Sequence, residues 1–354
     1  MYRKMRNCRR FGRRCAAGRP VLAATVLAVP VLALAGTAPA AASPTVPRWI
    51  RIAAGGDFTC GIREGNTLWC WGAPDFGDLG TGAVSQKLRP QQIGKPTSGW
   101  VSVTAGSDHA CALRRDTTLW CWGDNGEGEA GIGSPADNVT RPHQVTTPAA
   151  DGWVSAAAGG GHTCATRADG TLWCWGLNFD GQLGTGTTAS ENLPHQVTTP
   201  AADGWASVAA GAGHTCAVRA DATLWCWGSG FFGQLGTGGT VGQPLPQQVT
   251  TPAADGWTSV AAGGFFTCAL RTHALWCWGD NDDGELGIGG TASQPVPRRV
   301  PVPSRNGWGL IAPGDFHACA IRAGHALWCW GYNAAGELGL DSTTEQHRAQ
   351  QVTA

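Results

Sequence analysis

A chain of 354 residues with 18 tryptophans and 42% apolar residues carries enough hydrophobic surface for a large core, so its 53 glycines and 14% charged residues do not signal disorder. Its 25 basic and 25 acidic residues balance, yet eight of the basic ones crowd into the first 43 positions, leaving 17 against 25 and a net charge of about −8 downstream. That surplus of acid excludes sequence-independent binding to nucleic acid, which needs Lys and Arg to neutralise phosphates.

The first element, 1–42, reads as a secretory signal peptide. It contains no acid, carries its Lys and Arg between Arg3 and Arg19, runs apolar from Val21 to Gly36, and ends in small residues at Ala38, Ala40, Ala41 and Ala42. The apolar run is shorter than the roughly 20 residues of a membrane span and Pro30 interrupts it. No membrane association is therefore expected after cleavage. Arg9-Arg10 and Arg13-Arg14 leave a twin-arginine route open beside general secretion. The mature domain, 43–354, is expected outside the cell or at its envelope.

Six units follow, over 48–99, 100–152, 153–204, 205–256, 257–307 and 308–354. The second Trp of a Trp-Cys-Trp-Gly motif marks each one, at Trp71, Trp122, Trp175, Trp227, Trp278 and Trp330. A period of 51 to 53 residues means an array of one supersecondary unit. Each begins with a Trp and an Ala/Val-rich strand, then runs through a Cys strand, a turn, the Leu-Trp-Cys-Trp-Gly strand, a Gly-(Gln/Glu/Asp)-(Leu/Ala)-Gly loop and a Pro-x-x-Val strand. Four short strands per unit, Gly and Pro punctuation and no helical period predict an all-β fold, a β-propeller of six, or seven, four-stranded blades. A β-solenoid is the other architecture such a repeat allows.

Within the third unit, Cys164 and Cys174 lie symmetrically about Ala168-Asp169-Gly170, a three-residue hairpin loop. That register sets the cysteines opposite each other on one face. The same symmetry pairs Cys60 with Cys70, Cys111 with Cys121, Cys216 with Cys226 and Cys319 with Cys329, while Cys268 and Cys277 flank a two-residue loop at Thr272-His273. Six disulfides, one per unit, suit an oxidised, exported chain. In the Leu-Trp-Cys-Trp strand, Leu and Cys point to one face and both Trp to the other, as stacking on both sides requires. All 18 Trp sit at three equivalent positions, which assigns them to blade packing rather than to sugar stacking. At the C-terminus, the strand near Gln350 to Thr353 is expected to join N-terminal strands and latch the ring.

The unit resembles the regulator of chromosome condensation repeat, through Ala158-Gly159, His162-Thr163-Cys164-Ala165, Asp169-Gly170, Trp175-Gly176-Leu177-Asn178 and Gly181-Gln182-Leu183-Gly184. The resemblance covers essentially the whole mature chain and implies a propeller, seven-bladed in the best-known members. The namesake's nucleotide-exchange activity on a nuclear GTPase does not carry over to a chain with an export leader and an acidic surface.

The sequence supports no catalytic residue, cofactor or metal. The histidines His109, His162, His214 and His317 recur at one repeat position, one per blade, and blade spacings of roughly 10 Å are too wide for shared ligation. The acidic stretches at Asp124 and Asp280 resemble calcium loops but are copies of the Trp-Gly-x-Asn loop and lack EF-hand spacing. Function is instead expected where the copies differ. The pair before the loop glycine reads Asp75-Phe76, Gly126-Glu127, Phe179-Asp180, Phe231-Phe232, Asp282-Asp283 and Ala334-Ala335. Together with Phe265 these residues form a set of aromatics beside acids, the composition of a protein-binding surface. The expected function is a secreted, non-catalytic scaffold for a protein partner, an enzyme inhibitor or adhesion module, similar in plan to exported propellers of this family that inhibit β-lactamases. A glycan- or cell-wall-binding module and a propeller lyase or hydrolase are the alternatives.

Overall fold

The computed structural model describes residues 48–353 except 74, 95–98, 135–137, 302–306 and 323–324. The expected signal peptide lies outside the described residues. Six antiparallel sheets follow one another along the chain, each of four strands paired in sequence order. Blade 1 comprises Trp49–Ala54, Phe58–Arg63, Thr67–Gly72 and Lys87–Ile93, and blade 6 comprises Trp308–Pro313, His317–Arg322, Leu327–Gly331 and Gln346–Gln351. This is the six-bladed propeller with four strands per blade, and each blade is one sequence repeat.

The central hairpin of each blade forms as its symmetry requires. In blade 3, Cys164 faces Cys174 and Thr166 faces Leu172. Gly170 N donates to Arg167 O across the turn at 2.9 Å, and Gly170 has φ +80°, where a side chain would be strained. Asp169 tightens the corner by accepting from Thr171 N at 3.0 Å and Thr171 Oγ1 at 2.6 Å, bonds that hold its carboxyl below the usual carboxylate range. In blade 5 the loop is two residues, Thr272 and His273, both with positive φ, and Arg271 pairs with Ala274. All six cysteine pairs are bonded, each with a Cα separation of 4.1 Å.

Each blade turns its disulfide face towards the tryptophan face of the next. Between blades 1 and 2, Cys60, Ile62, Leu68, Cys70, Leu79 and Ile93 pack against Trp100, Ala110, Ala112 and Trp122. The core is therefore divided into one layer per blade junction, here called a seam. Glycine permits the closest approaches: at Gly184 (φ +72°) a Cβ would lie 2.7 Å from Trp227 Nε1 of the next blade. That contact explains the second glycine of Gly-Gln-Leu-Gly.

The expected terminal latch does not form. Gln346–Gln351 pairs with Leu327–Gly331 of its own blade, and Trp49–Ala54 pairs with Phe58–Arg63 of its own. Each repeat begins with a blade's first strand and ends with its fourth, so the first and last described strands are already paired within their own blades. Seams fill between successive blades, and the seam between blades 6 and 1 stands open. Trp49 is 40% exposed, where its counterparts in blades 2 to 6 are at most 4% exposed.

Candidate functional site

The loop between the third and fourth strands carries the variable pair; an Asn in four of the six copies and an Asp, Glu or Gln after the loop glycine in all six stand beside it, and where both are present they brace it from within. In blade 3, Asn178 Oδ1 accepts from Leu183 N at 3.0 Å while its Nδ2 donates to Thr187 O and Ala189 O. Gln182 Oε1 accepts from Asp180 N at 3.0 Å. Asn281 and Glu285 repeat this brace in blade 5, with Glu285 Oε2 accepting from Asp283 N at 2.9 Å. The calcium-like sequence at Asp280 thus contains two residues engaged in holding their own loop.

What the brace holds up differs from blade to blade. Phe179 and Phe231 are 67% and 66% exposed and Phe76 is 37% exposed. Asp75 and Asp282 are also exposed, whereas Glu127, Asp180, Phe232 and Asp283 are half-buried. Phe265 is different: it is buried, 5.4 Å from Phe232 and 6.3 Å from Phe316 between ring centroids. Phe316 continues to Tyr332 at 6.4 Å. Phe265 therefore anchors an aromatic ladder across blades 4, 5 and 6 instead of standing free on the rim.

Blades 1 and 2 carry buried acids immediately after the loop glycine, at Asp78 and Glu129. Burial raises the Asp78 carboxyl to about 7, and the negative charges of Asp108 and Asp75 add to it. Glu129 is likewise pushed up to about 7 by burial, with Asp124 and Glu127 contributing. The variable positions foreshadowed the aromatics, but not Tyr332 or the buried acids. A signal for the latter exists: the Gln of Gly-Gln-Leu-Gly is replaced by an acid in four of the six copies, at Asp78, Glu129, Glu285 and Glu337.

The recurrent histidines are structural. His162 Nε2 lies 2.9 Å from Thr215 Oγ1 in the next blade, and Thr215 Oγ1 donates to Gln182 O at 2.8 Å. Because the threonine proton goes to the carbonyl, the imidazole N–H is the donor to threonine. His109 with Thr163 and His214 with Thr267 repeat the contact at 2.9 Å. Tryptophans serve the same seams. Trp122, Trp175, Trp227, Trp278 and Trp330 are fully buried, and half-buried Trp69 and Trp328 lie under Arg63 and Arg322 at 4.4 and 5.3 Å. Sugar stacking needs exposed indoles, and of the 18 only Trp49, at the open end of the array, is exposed.

The Regulator of chromosome condensation (RCC1) repeat matches 66–113, 116–166, 169–218, 221–270 and 273–321, and a second description of the same repeat matches six segments between 49 and 337. The chain belongs to the regulator of chromosome condensation repeat family. Among the family's curated proteins, the ultraviolet-B receptor UVR8 of Arabidopsis thaliana is 30% identical over 306 residues, covering 85% of this chain and 69% of that one. The E3 ubiquitin-protein ligase HERC2 of Homo sapiens is 29% identical over 85% of this chain, a match to 6% of the ligase. Two solved structures share the fold at low identity. Human WBSCR16 superposes with a TM-score of 0.76 at 21% identity, over 87% of this chain and 82% of that one. Yeast Prp20, bound to Kap60, gives 0.75 at 22%, over 86% and 75%.

Proposed function

We propose that this chain is an exported, non-catalytic scaffold that engages a protein partner through its blade loops, in the manner of an inhibitor or adhesion module. The observation that carries this reading is the exposure of Phe179 and Phe231 on loops whose backbones are already braced from within. Aromatic side chains held out on a rigid backbone lose little conformational freedom on binding and supply the anchors that dominate interfaces. Exposed Asp75 and Asp282 stand in the same set of loop pairs as exposed Phe76, Phe179 and Phe231 and add charge to the apolar anchors. Six disulfides suit an oxidising, extracellular compartment, in keeping with a cleaved leader over 1–42. Protein binding also occurs in the fold relative Prp20p, whose binding to Gsp1p and histones has been examined.

The test is capture of partners from the culture medium and cell envelope by oxidised protein, beside a Phe76→Ser, Phe179→Ser, Phe231→Ser variant. Selective loss of a captured protein, with an unchanged melting curve, supports the reading. Identical capture by both forms, or retention of glycan alone, overturns it.

A further inference from the structure

The five filled seams share three contacts. In each, the buried indole Nε1 of the later blade donates to a backbone carbonyl of the earlier one: Trp122 to Asp78, Trp175 to Glu129, Trp227 to Gln182, Trp278 to Gln234 and Trp330 to Glu285, at 2.7 to 2.9 Å. A loop glycine N–H of the earlier blade donates to a carbonyl of the later blade's fourth strand, as Gly82 does to Thr140 and Gly289 to His347. The third contact joins the His/Phe position of one blade to the Thr/Ala position of the next.

That third contact follows a pairing rule. His109, His162 and His214 each meet a threonine: Thr163, Thr215 and Thr267. By repeat position, Phe58 and Phe266 stand opposite alanines, Ala110 and Ala318, and the four share their seam cores. Polar meets polar and apolar meets apolar, because an imidazole N–H buried against alanine would lack an acceptor. After these five assignments two residues remain, His317 at the end of the array and Thr59 at its start. Both are polar, as the rule requires of a matched pair.

The surrounding surfaces correspond in the same way. A Cβ built on Gly336 of blade 6 would meet nothing within 4 Å, whereas one on its counterpart Gly77 would meet Thr140 of the next blade at 2.9 Å. The blade 1 equivalent of Thr140 is Leu88, which is 85% exposed. Glu337 is exposed, while Gln182 and Glu285 at the same position are fully buried, and Trp71 is only half-buried where its five counterparts are fully buried. A second complementarity is independent of the first. The loop corner occupied by Gly82, Gly133, Gly186, Gly238 and Gly289 is Asp341 in blade 6, with φ +52°. Gly82 and Gly289 lie against Arg141 and Arg348 of the next blade's fourth strand, and blade 1 carries Arg89 at that place. The corner that gains a side chain gains an acid, opposite a cation.

We propose that blade 6 closes onto blade 1 of the same chain, pairing His317 with Thr59 and Asp341 with Arg89, so that the open array and a closed six-blade ring are two states of one propeller. A face of the same chain is present at an effective concentration in the millimolar range, far above that of a second copy in dilute solution. Closure covers Trp49, Ile52, Leu88 and Leu327, all exposed in the open array.

The test uses the whole mature chain and two pair exchanges, each as singles and as a double. His317→Phe with Thr59→Ala converts the sixth seam to its apolar type, and Asp341→Arg with Arg89→Asp exchanges two exposed charges, with Asp341→Asn as the control for strain at the φ +52° corner. Each single change should lower the melting temperature by roughly 1–3 °C, each double should restore it, and the charge effect should fade in high salt. Small-angle scattering of the wild type should show a smaller maximum dimension than the open array, at a monomer mass that does not change on dilution. Additive losses without rescue in both pairs overturn closure, as does scattering that matches the open array. Rescue that appears together with a concentration-dependent increase in mass places the contact between two copies and also overturns it.

Discussion

His162 Nε2 lies 2.9 Å from Thr215 Oγ1, and Thr215 passes its own proton to Gln182 O, so a two-bond chain leaves blade 3, enters blade 4 and returns. Trp227 Nε1 donates to the same carbonyl at 2.9 Å. Removing Thr215 Oγ1 alone strands a buried imidazole N–H, and Thr215→Ala should cost about 1–3 kcal/mol. His162→Phe with Thr215→Ala should recover most of that loss, because blades 1 and 2 already use a Phe and Ala seam. Chemical denaturation of the three forms at pH 7 measures it, and a double no better than the Thr215→Ala single refutes the pairing.

Acid should weaken these seams. Burial lowers His162 to about 3 and His109 and His214 to about 4, from a usual 6.5. The unfolded chain takes up protons below pH 6.5 while the folded one remains neutral down to about pH 4. The stability that these neutral histidines contribute is complete above pH 6.5 and is lost as pH falls towards 4. Melting temperature against pH, for wild type and for a variant with all three pairs converted to Phe and Ala, should give a shallower acid decline in the variant.

Asp78 and Glu129 act in the opposite sense. Each holds its proton up to about pH 7 when folded but ionises near 4 in the unfolded chain. Their contribution is present at low pH and lost as pH rises through 7. Asp78→Asn and Glu129→Gln should raise the melting temperature more at pH 8 than at pH 5. Equal shifts at both values would show that these carboxyls do not titrate with folding.

The disulfides close short hairpins, and the seam cores surround them. Replacing Cys164 and Cys174 by Ala should cost about 2 kcal/mol and leave the propeller folded, because five other pairs and the blade 3 hydrogen bonds persist. Urea titration with circular dichroism follows both statements.

Loop brace and loop display should separate. Phe179→Ser and Phe231→Ser change exposed side chains and should move stability by less than about 0.5 kcal/mol. Gln182→Ala removes the acceptor for Asp180 N and should loosen the loop, visible as faster amide exchange at Asp180. If the serine variants melt as early as Gln182→Ala, the phenylalanines are packing residues.

The sequence by itself determined the repeat, the four strands of each blade, the cysteine pairing and the two-faced Leu-Trp-Cys-Trp strand. These follow from spacing within about fifty residues: a two-residue strand period and a symmetric hairpin leave one register. The burial of the tryptophans was legible for the same reason, since six equivalent positions need one explanation. Tertiary structure alone decided the rest. It placed Phe265 in a ladder with Phe232 and Phe316 instead of on the rim, because its neighbours come from adjacent blades. It set His162 against Thr215, 53 positions away, and it kept Gln346–Gln351 in its own blade. Contacts across a seam join residues a whole repeat apart, and only blade stacking determines which face each residue meets.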